Sequence, residues 1–236
     1  MNALIPNDLH RVLANIPRDI RELLKNNPNI ILAGGCIRSI IASEKINDYD
    51  LFGPSRDELE RVAKDLAIAR GGKLHTTANA YTVLTHGRTP VQFIFRWTYA
   101  KPIDVVKDFD FSIAQAAIYW DVLDPKDNTG HWMSVISDHY YADIAGKRLR
   151  YLSPKREEDA GGSILRVQKF LRAGYFIDVQ SFSAVIARLC FGVEQIKNNI
   201  DEEFLSRIIS GLLLEVDPMI IIDGVDLVET SPGNNT

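Results

Sequence analysis

Apolar residues recur at helical spacing from the start of the chain: Leu9, Val12, Leu13 and Ile16, then Ile20, Leu23 and Leu24. That period predicts a helical opening, and Pro17 between the two groups predicts a break in it. After Asn26, Asn27 and Pro28 the pattern becomes an unbroken apolar run, Ile30 to Ala33, which reads as a short strand stopping at Gly34 and Gly35. Cys36 to Glu44 is again apolar at helical spacing, and Tyr49 to Phe52 reads as the next strand, so this stretch is a strand, glycine turn, helix, strand unit. Ser55 followed three residues later by Glu58 is a capping box that opens a helix through Leu59, Val62, Ala63, Leu66 and Ala67 to a stop at Gly71 and Gly72. Three strands follow at Lys73 to Thr76, Tyr81 to Thr85 and Val91 to Phe95, the last two joined through Gly87 and Arg88 as a hairpin. Phe109 to Trp120 predicts another strand and Asp124 to Gly130 a turn. From about Ser163 the pattern is helical for the rest of the chain, through Leu165, Phe170 and Leu171 to Phe204, Ile208, Ile209 and Leu212, before a disordered tail, Ser231 to Thr236.

With 236 residues and 46% hydrophobic content, the chain can bury a full core, as one large domain or as one domain with a helical appendage. Its longest apolar stretches, Ile208 to Val216 and Ala114 to Trp120, are too short to cross a bilayer, so no membrane partner is expected. The N-terminus lacks the basic flank and apolar run of a signal peptide. Cys36 and Cys190 have neither paired spacing nor a histidine cluster around them, which argues against disulfides and zinc and for a reducing cytoplasm. A net charge of −4 argues against a protein that coats nucleic acid over its whole surface. The charge is uneven, however: Lys147 to Arg172 holds eight basic against three acidic side chains, leaving the remainder at −9. Such a run is a solvated surface or a face for a polyanion.

Asp48 and Asp50 stand two apart on the predicted strand, and the period of two points both carboxylates to one side. Two hard oxygen ligands on a rigid strand suit one or two Mg²⁺ ions and a triphosphate. The pair alone is weak evidence, because acidic residues at that spacing are common on exposed strands. Gly34 and Gly35 strengthen it, since a double glycine between strand and helix leaves room for phosphate oxygens near backbone N–H groups, with Arg38 one turn further on. Cys36 reads as a small buried residue whose place at a helix start favours a lowered thiol pKa. His75, His86, His131 and His139 show no ligand spacing, and Trp97, Trp120 and Trp132 read as core or rim residues and not as base-stacking platforms.

Leu32-Ala33-Gly34-Gly35-Cys36-Ile37-Arg38 followed by Asn47-Asp48-Tyr49-Asp50-Leu51 resembles the active-site motif of the polymerase-β-like nucleotidyltransferase superfamily. It is most similar to the branch of bacterial poly(A) polymerases and tRNA CCA-adding enzymes, whose pattern is GGxVRD and then DxDL. Asp110 to Ala116 resembles that branch's DFTINAL segment. Asp143-Ile144, Arg148 to Leu152, and Asp159 with Ile164-Leu165-Arg166 resemble its DL, basic and EDxxRxLR elements. The resemblance runs over about residues 30 to 175. It implies an α+β fold with a nucleotidyltransferase-type mixed β-sheet flanked by helices, followed by a mostly helical C-terminal region. It also implies a catalytic domain at 1–152, a helical region at 153–230 for RNA or another acceptor, and the tail at 231–236. Asp48 and Asp50 would be the catalytic metal ligands, Gly34 and Gly35 the phosphate cradle, Arg38 a supporting contact, and Asp110 a neighbour of the nucleotide sugar. Arg166, Lys169 and Arg172 would be the RNA contacts.

The chain departs from that pattern at four places. The third carboxylate expected on a neighbouring strand is Gln92, which weakens a second Mg²⁺ site unless Asp108 or Asp110 serves instead. Asp108 and Phe109 replace the arginines before the DFTINAL aspartate, Ser163 stands for the base-selecting arginine, and Ser39 replaces the aspartate of GGxVRD. The resemblance implies a Mg²⁺-dependent transfer of a nucleoside monophosphate from a nucleoside triphosphate to a hydroxyl, with an RNA or tRNA 3′ end as acceptor. Transfer to a small molecule or a protein, and nucleotide or RNA binding without turnover, are the alternatives. The sequence leaves the nucleotide and the oligomeric state open.

Overall fold

A computed structural model of the chain describes residues 1–124, 126–127, 129–152 and 162–194, with 206 and 209. The chain divides into two compact units, Met1–Pro154 and Lys155–Thr236. The first is α+β, as expected, and is built on a mixed seven-stranded sheet. Helices α1 (Pro6–Asn15) and α2 (Arg18–Asn26) lead into β1 (Ile31–Ala33), with the break at Pro17. Then come α3 (Gly35–Ile41), β2 (Tyr49–Phe52), α4 (Arg56–Arg70), β3 (Lys73–Thr76), β4 (Ala80–Leu84) and β5 (Val91–Ile94). Helix α5 (Pro102–Lys107), a 3₁₀ turn (Ser112–Ala114), β6 (Ala116–Asp124), β7 (Thr129–Ile136) and α6 (Tyr140–Ala145) complete it. The strand order is β3-β4-β5-β2-β1-β6-β7, antiparallel throughout except for the parallel pair β2 and β5.

The two faces of the sheet differ. One carries the main core, in which Leu32, Leu51 and Ile118 meet Val12 of α1, Ile20, Leu23 and Leu24 of α2, Ile37 of α3, and Leu59 and Val62 of α4. The other carries a smaller cluster of Ile31, Ala33, Phe52 and Ala117 under Val105 and Val106 of α5. Helix α4 begins and ends as its sequence dictates: the Ser55 hydroxyl accepts from the Glu58 N–H at 3.2 Å, and Gly71 takes the left-handed conformation (φ 59°) that closes it.

One ion cluster ties the helical layer to the hairpin. Asp19, in the first turn of α2, accepts from Arg70 Nε at 2.7 Å and Nη2 at 3.1 Å, and from Arg88 Nη1 at 2.8 Å. Burial pushes the Asp19 carboxyl up, but the Arg70 hydrogen bond and charge, with Arg88 behind them, hold it below its ordinary value.

Three stretches differ from the sequence pattern. Phe109 to Trp120 is not one strand: it is a bridge at Phe111, the 3₁₀ turn and then β6 from Ala116. The break has a physical cause, because Ser112 is fully buried and its hydroxyl donates to Asp143 at 2.6 Å, a bond that a continuous ladder would not allow. The turn at Asp124 to Gly130 is the tip of the β6–β7 hairpin, whose second strand the sequence pattern hides because it is half-exposed. Helix α5, opened by Pro102 at its first turn, went unread because it is only six residues long.

In the second unit, α7 (Gly162–Arg172) and α8 (Val179–Glu194) are separated by a turn at Gly174 (φ 83°) and by extended Phe176–Ile177, so the helical run from Ser163 is interrupted. The helical positions Phe204, Ile208 and Leu212 and the tail Ser231 to Thr236 lie outside the described residues. No helix among the described residues is long and apolar enough to cross a membrane.

Removing the Asp19 carboxylate leaves the Arg70 side chain, 2% exposed, without its counter-charge. Asp19→Ala is expected to cost about 3 kcal/mol in urea unfolding, the lower end for a broken buried pair because Asp19 itself is 30% exposed. Because the native pKa is depressed, this contribution is full above the ordinary carboxylate value of about 4 and is lost as pH falls through the lower native value. The wild-type and variant stabilities should therefore converge on acidification.

Candidate active site

The register of the sheet builds the site. Ala33, the last residue of β1, pairs with Asp50 of β2, and Asp50 pairs in turn with Gln92 of β5. Paired residues share a face, so Ala117, Ala33, Asp50, Gln92, Thr82 and His75 form one row across six strands, polar from Asp50 outward. Asp48 lies one residue before β2, not within it, and the buried Tyr49 separates it from Asp50.

Immediately beyond Ala33 the chain turns at Gly34, with φ 88° and ψ −147°, a conformation open in practice only to glycine. Its N–H donates to the Ala116 carbonyl at 2.9 Å, so Gly34 contributes a close backbone approach and not a phosphate donor. The approach is tight: a Cβ on Gly34 would lie 3.2 Å from the Phe109 ring and 3.6 Å from Asp50 Oδ2. Gly35 opens the first turn of α3, where N–H groups have no partner within a helix. The Arg38 guanidinium lies over Gly35, with Nη2 3.5 Å from where a Cβ would sit. Its Nε is 3.4 Å from Glu44 Oε2, and Nη2 donates to the Ser39 hydroxyl at 3.3 Å.

Glu44 was not singled out in the sequence, yet it supplies the carboxylate that steadies Arg38 where Ser39 replaces the motif's aspartate. The only hint was its place at the end of the α3 pattern. Phe109, at one of the positions where the resemblance leads one to expect arginine, packs against Gly34 and edge-on to Phe52 at 5.9 Å. Gln115 Nε2 fixes it by donating to its carbonyl at 3.0 Å. Asp108 accepts from the Tyr99 hydroxyl at 2.8 Å, and Asp110 is buried at the bridge segment, its carbonyl accepting from the Leu152 N–H at 2.8 Å.

Cys36 is 3% exposed, and burial, followed by the Asp50 and Asp48 carboxylates, pushes its thiol well up. This corrects the expectation from its place at a helix start: desolvation and two nearby anions outweigh the helix end. Both carboxylates thus lie near enough to Cys36 to raise its thiol. Among the described residues, no three His, Cys, Asp or Glu side chains form a metal-holding group. Arg166, Lys169 and Arg172 lie three residues apart along α7, Lys169 and Arg172 exposed and Arg166 half-buried.

Residues 4–136 match the family model described as Gabija anti-defense 2 family protein. The chain belongs to the Gabija anti-defense 2 family. No curated protein matches this family member in sequence. Its structure is similar to those of CCA-adding enzymes. The Thermotoga maritima CCA-adding enzyme complexed with tRNA aligns with a TM-score of 0.53 at 15% identity, covering 91% of this chain and 56% of that one. A CCA-adding enzyme complexed with CTP aligns at 0.55 and 17% identity, covering 90% and 56%, and one with ATP at 0.51 and 16%, covering 87% and 55%. The Gabija anti-defense 2 chain thus has the nucleotidyltransferase fold at low identity and spans little more than half the length of those enzymes.

The two glycines are not equivalent. Gly34→Ala meets a forbidden φ and a tight ring contact and is expected to destabilise the protein by about 1–3 kcal/mol. Gly35→Ala meets only ordinary contacts and is expected to stay within about 0.5 kcal/mol of wild type. Chemical denaturation of the two variants side by side checks the difference.

Proposed function

We propose that this Gabija anti-defense 2 protein is a Mg²⁺-dependent nucleotidyltransferase that moves a nucleoside monophosphate from a nucleoside triphosphate to a hydroxyl, with an RNA 3′ end as acceptor. The observation that carries this reading is Asp50 Oδ2 set against the backbone of the glycine turn at Gly34, with Asp48 just ahead of β2. Two carboxylates beside a side-chain-free turn suit Mg²⁺, which is commonly held by one or two carboxylates plus substrate phosphates. When bound, the ion neutralises phosphate charge and favours ionisation of the attacking hydroxyl.

The protein's own part is positioning. Asp48 and Asp50 would hold the ion, the glycine turn brings bare backbone to the start of α3, and Arg38, steadied by Glu44, adds positive charge beside Gly35. The acceptor oxygen forms a bond to the α-phosphorus as the bond to the β-phosphate bridging oxygen breaks, pyrophosphate departs and the hydroxyl proton passes to solvent. Gln92, in register with Asp50, brings an amide where a third carboxylate would strengthen a second ion, so this reading needs one ion held by the aspartate pair. RNA as acceptor is supported by the CCA-adding enzyme complexed with tRNA and by the basic run on α7 with Arg166, Lys169 and Arg172. The family's name favours a second acceptor, a component of the defence it counters. Ser163, where the base-selecting arginine would stand, fits a reaction other than CCA addition.

Each of the four α-labelled triphosphates, incubated with the full chain, Mg²⁺ and total RNA, tests the proposal. Incorporation into RNA is expected. Asp48→Asn with Asp50→Asn should lower it at least 100-fold, because several kcal/mol of charge stabilisation disappear. Label transferred to a protein of the defence, and not to RNA, would favour the second acceptor. Tight triphosphate binding with no transfer to either would leave a nucleotide-binding protein and sink the enzymatic reading.

A further inference from the structure

We propose that the face of the sheet opposite Asp48 and Asp50 carries a second, separate recognition pocket for a nucleotide unit, a nucleobase with its phosphate. Arg18, Arg21, Glu22 and Lys25 of α2 and Trp132 of β7 line a cavity of about 230 Å³. Trp132 pairs with Trp120 across the β6–β7 hairpin and packs on the main core, whereas Asp50 shares the face of Ala33 and the smaller cluster. Along β6, Trp120 stands three residues beyond Ala117, roughly 10 Å further from the glycine turn at 3.3 Å per residue. A ligand in this pocket therefore does not touch the aspartate pair.

Charge and shape both point to the ligand class. The lining has three cationic side chains against one carboxylate, and that carboxylate, Glu22, already pairs with Arg18 at 2.7 Å. Arg21 Nε, in the lining, is buried with no hydrogen-bond partner among the described residues, and so is Nε1 of the adjoining Trp120. A buried donor left unsatisfied is destabilising, a penalty that an acceptor-rich anion at Arg21 offsets. The two indoles meet edge to face at 5.2 Å and 73°, and Lys25 Nζ sits 4.6 Å from the Trp120 centroid and 6.0 Å from that of Trp132. Gly130 leaves room beside Trp120, since a Cβ there would come within 2.9 Å of its Cε2 and Nε1. Although the sequence reads both tryptophans as core or rim residues, an aromatic pair framed by cations is the combination that stacks a base and neutralises its phosphate. The volume is below the ~300–1,000 Å³ of pockets that enclose a whole small ligand, so the pocket takes one part of a nucleotide or strand and leaves the rest outside.

The test uses the full chain in EDTA, which keeps Mg²⁺-dependent binding at the aspartate pair out of the measurement. ATP, AMP and fluorescein-labelled single-stranded RNA and DNA oligonucleotides are titrated separately, read by tryptophan emission and by anisotropy. Saturable binding is expected. Arg21→Gln with Lys25→Gln should weaken it at least tenfold and flatten the dependence of log affinity on log salt for the oligonucleotides by about 1.4, at about 0.7 per phosphate contact. Binding of ATP or AMP assigns the pocket to free nucleotide, and binding of oligonucleotides alone assigns it to a strand. No binding of either, or affinity unchanged in the double variant, overturns the proposal. Photo-crosslinking of 8-azido-ATP and of 4-thiouridine RNA to the wild-type chain gives a readout independent of variant folding. A labelled peptide containing Trp132 is expected, and labelling confined to peptides outside α2 and β7 overturns the assignment.

Discussion

The antiparallel pairing of Ala33 with Asp50 is the constraint on which the candidate site depends. It ends β1 at the level where β2 presents its carboxylate, so the next residue must turn within reach of Asp50 Oδ2. Only glycine takes that turn at φ 88° and ψ −147° without strain. A slip of one residue would send Asp50 into the main core and Leu51 to the open face, a double burial error that fixes the register firmly. The same pairing carries through Gln92, Thr82 and His75, so the chemistry of the whole row follows from one strand contact.

Much of this was legible in the sequence, because its signals were local. The strand, glycine turn, helix and strand unit, the Ser55 cap and the Gly71 stop each depend on residues a few positions apart, and each stands where the pattern put it. Gln92 was set beside Asp50 by the resemblance, which expects a third carboxylate there, and the parallel register of β2 and β5 pairs the two. What was hidden depends on contacts distant in sequence. Ser112 breaks a strand-like run for the sake of Asp143, thirty-one residues away, and Arg150 then donates to the same carboxylate at 2.9 Å. Asp19 gathers Arg70 and Arg88 from 51 and 69 residues away, beyond any spacing rule.

The departures from the resembling motif are compensated in packing more than in charge. Phe109 occupies a place expected to hold arginine and closes the side of Gly34 with an aromatic ring, braced by Phe52 and by Gln115. Ser39, by contrast, does not leave Arg38 without a carboxylate, since the chain just past α3 folds back to bring Glu44 to it. The glycine turn is thus framed here by an aromatic ring on one side and by an Arg38–Glu44 pair on the other. Fold similarity at 15–17% identity is consistent with that pattern.

The two cysteines are opposites: Cys36 is sealed beneath the glycine turn and Cys190 is exposed on α8. A thiol-directed probe therefore finds a single handle, on the second compact unit, and leaves the aspartate pair untouched. A fluorophore or spin label at Cys190 can report on α8 as nucleotide is added, without first engineering either cysteine away.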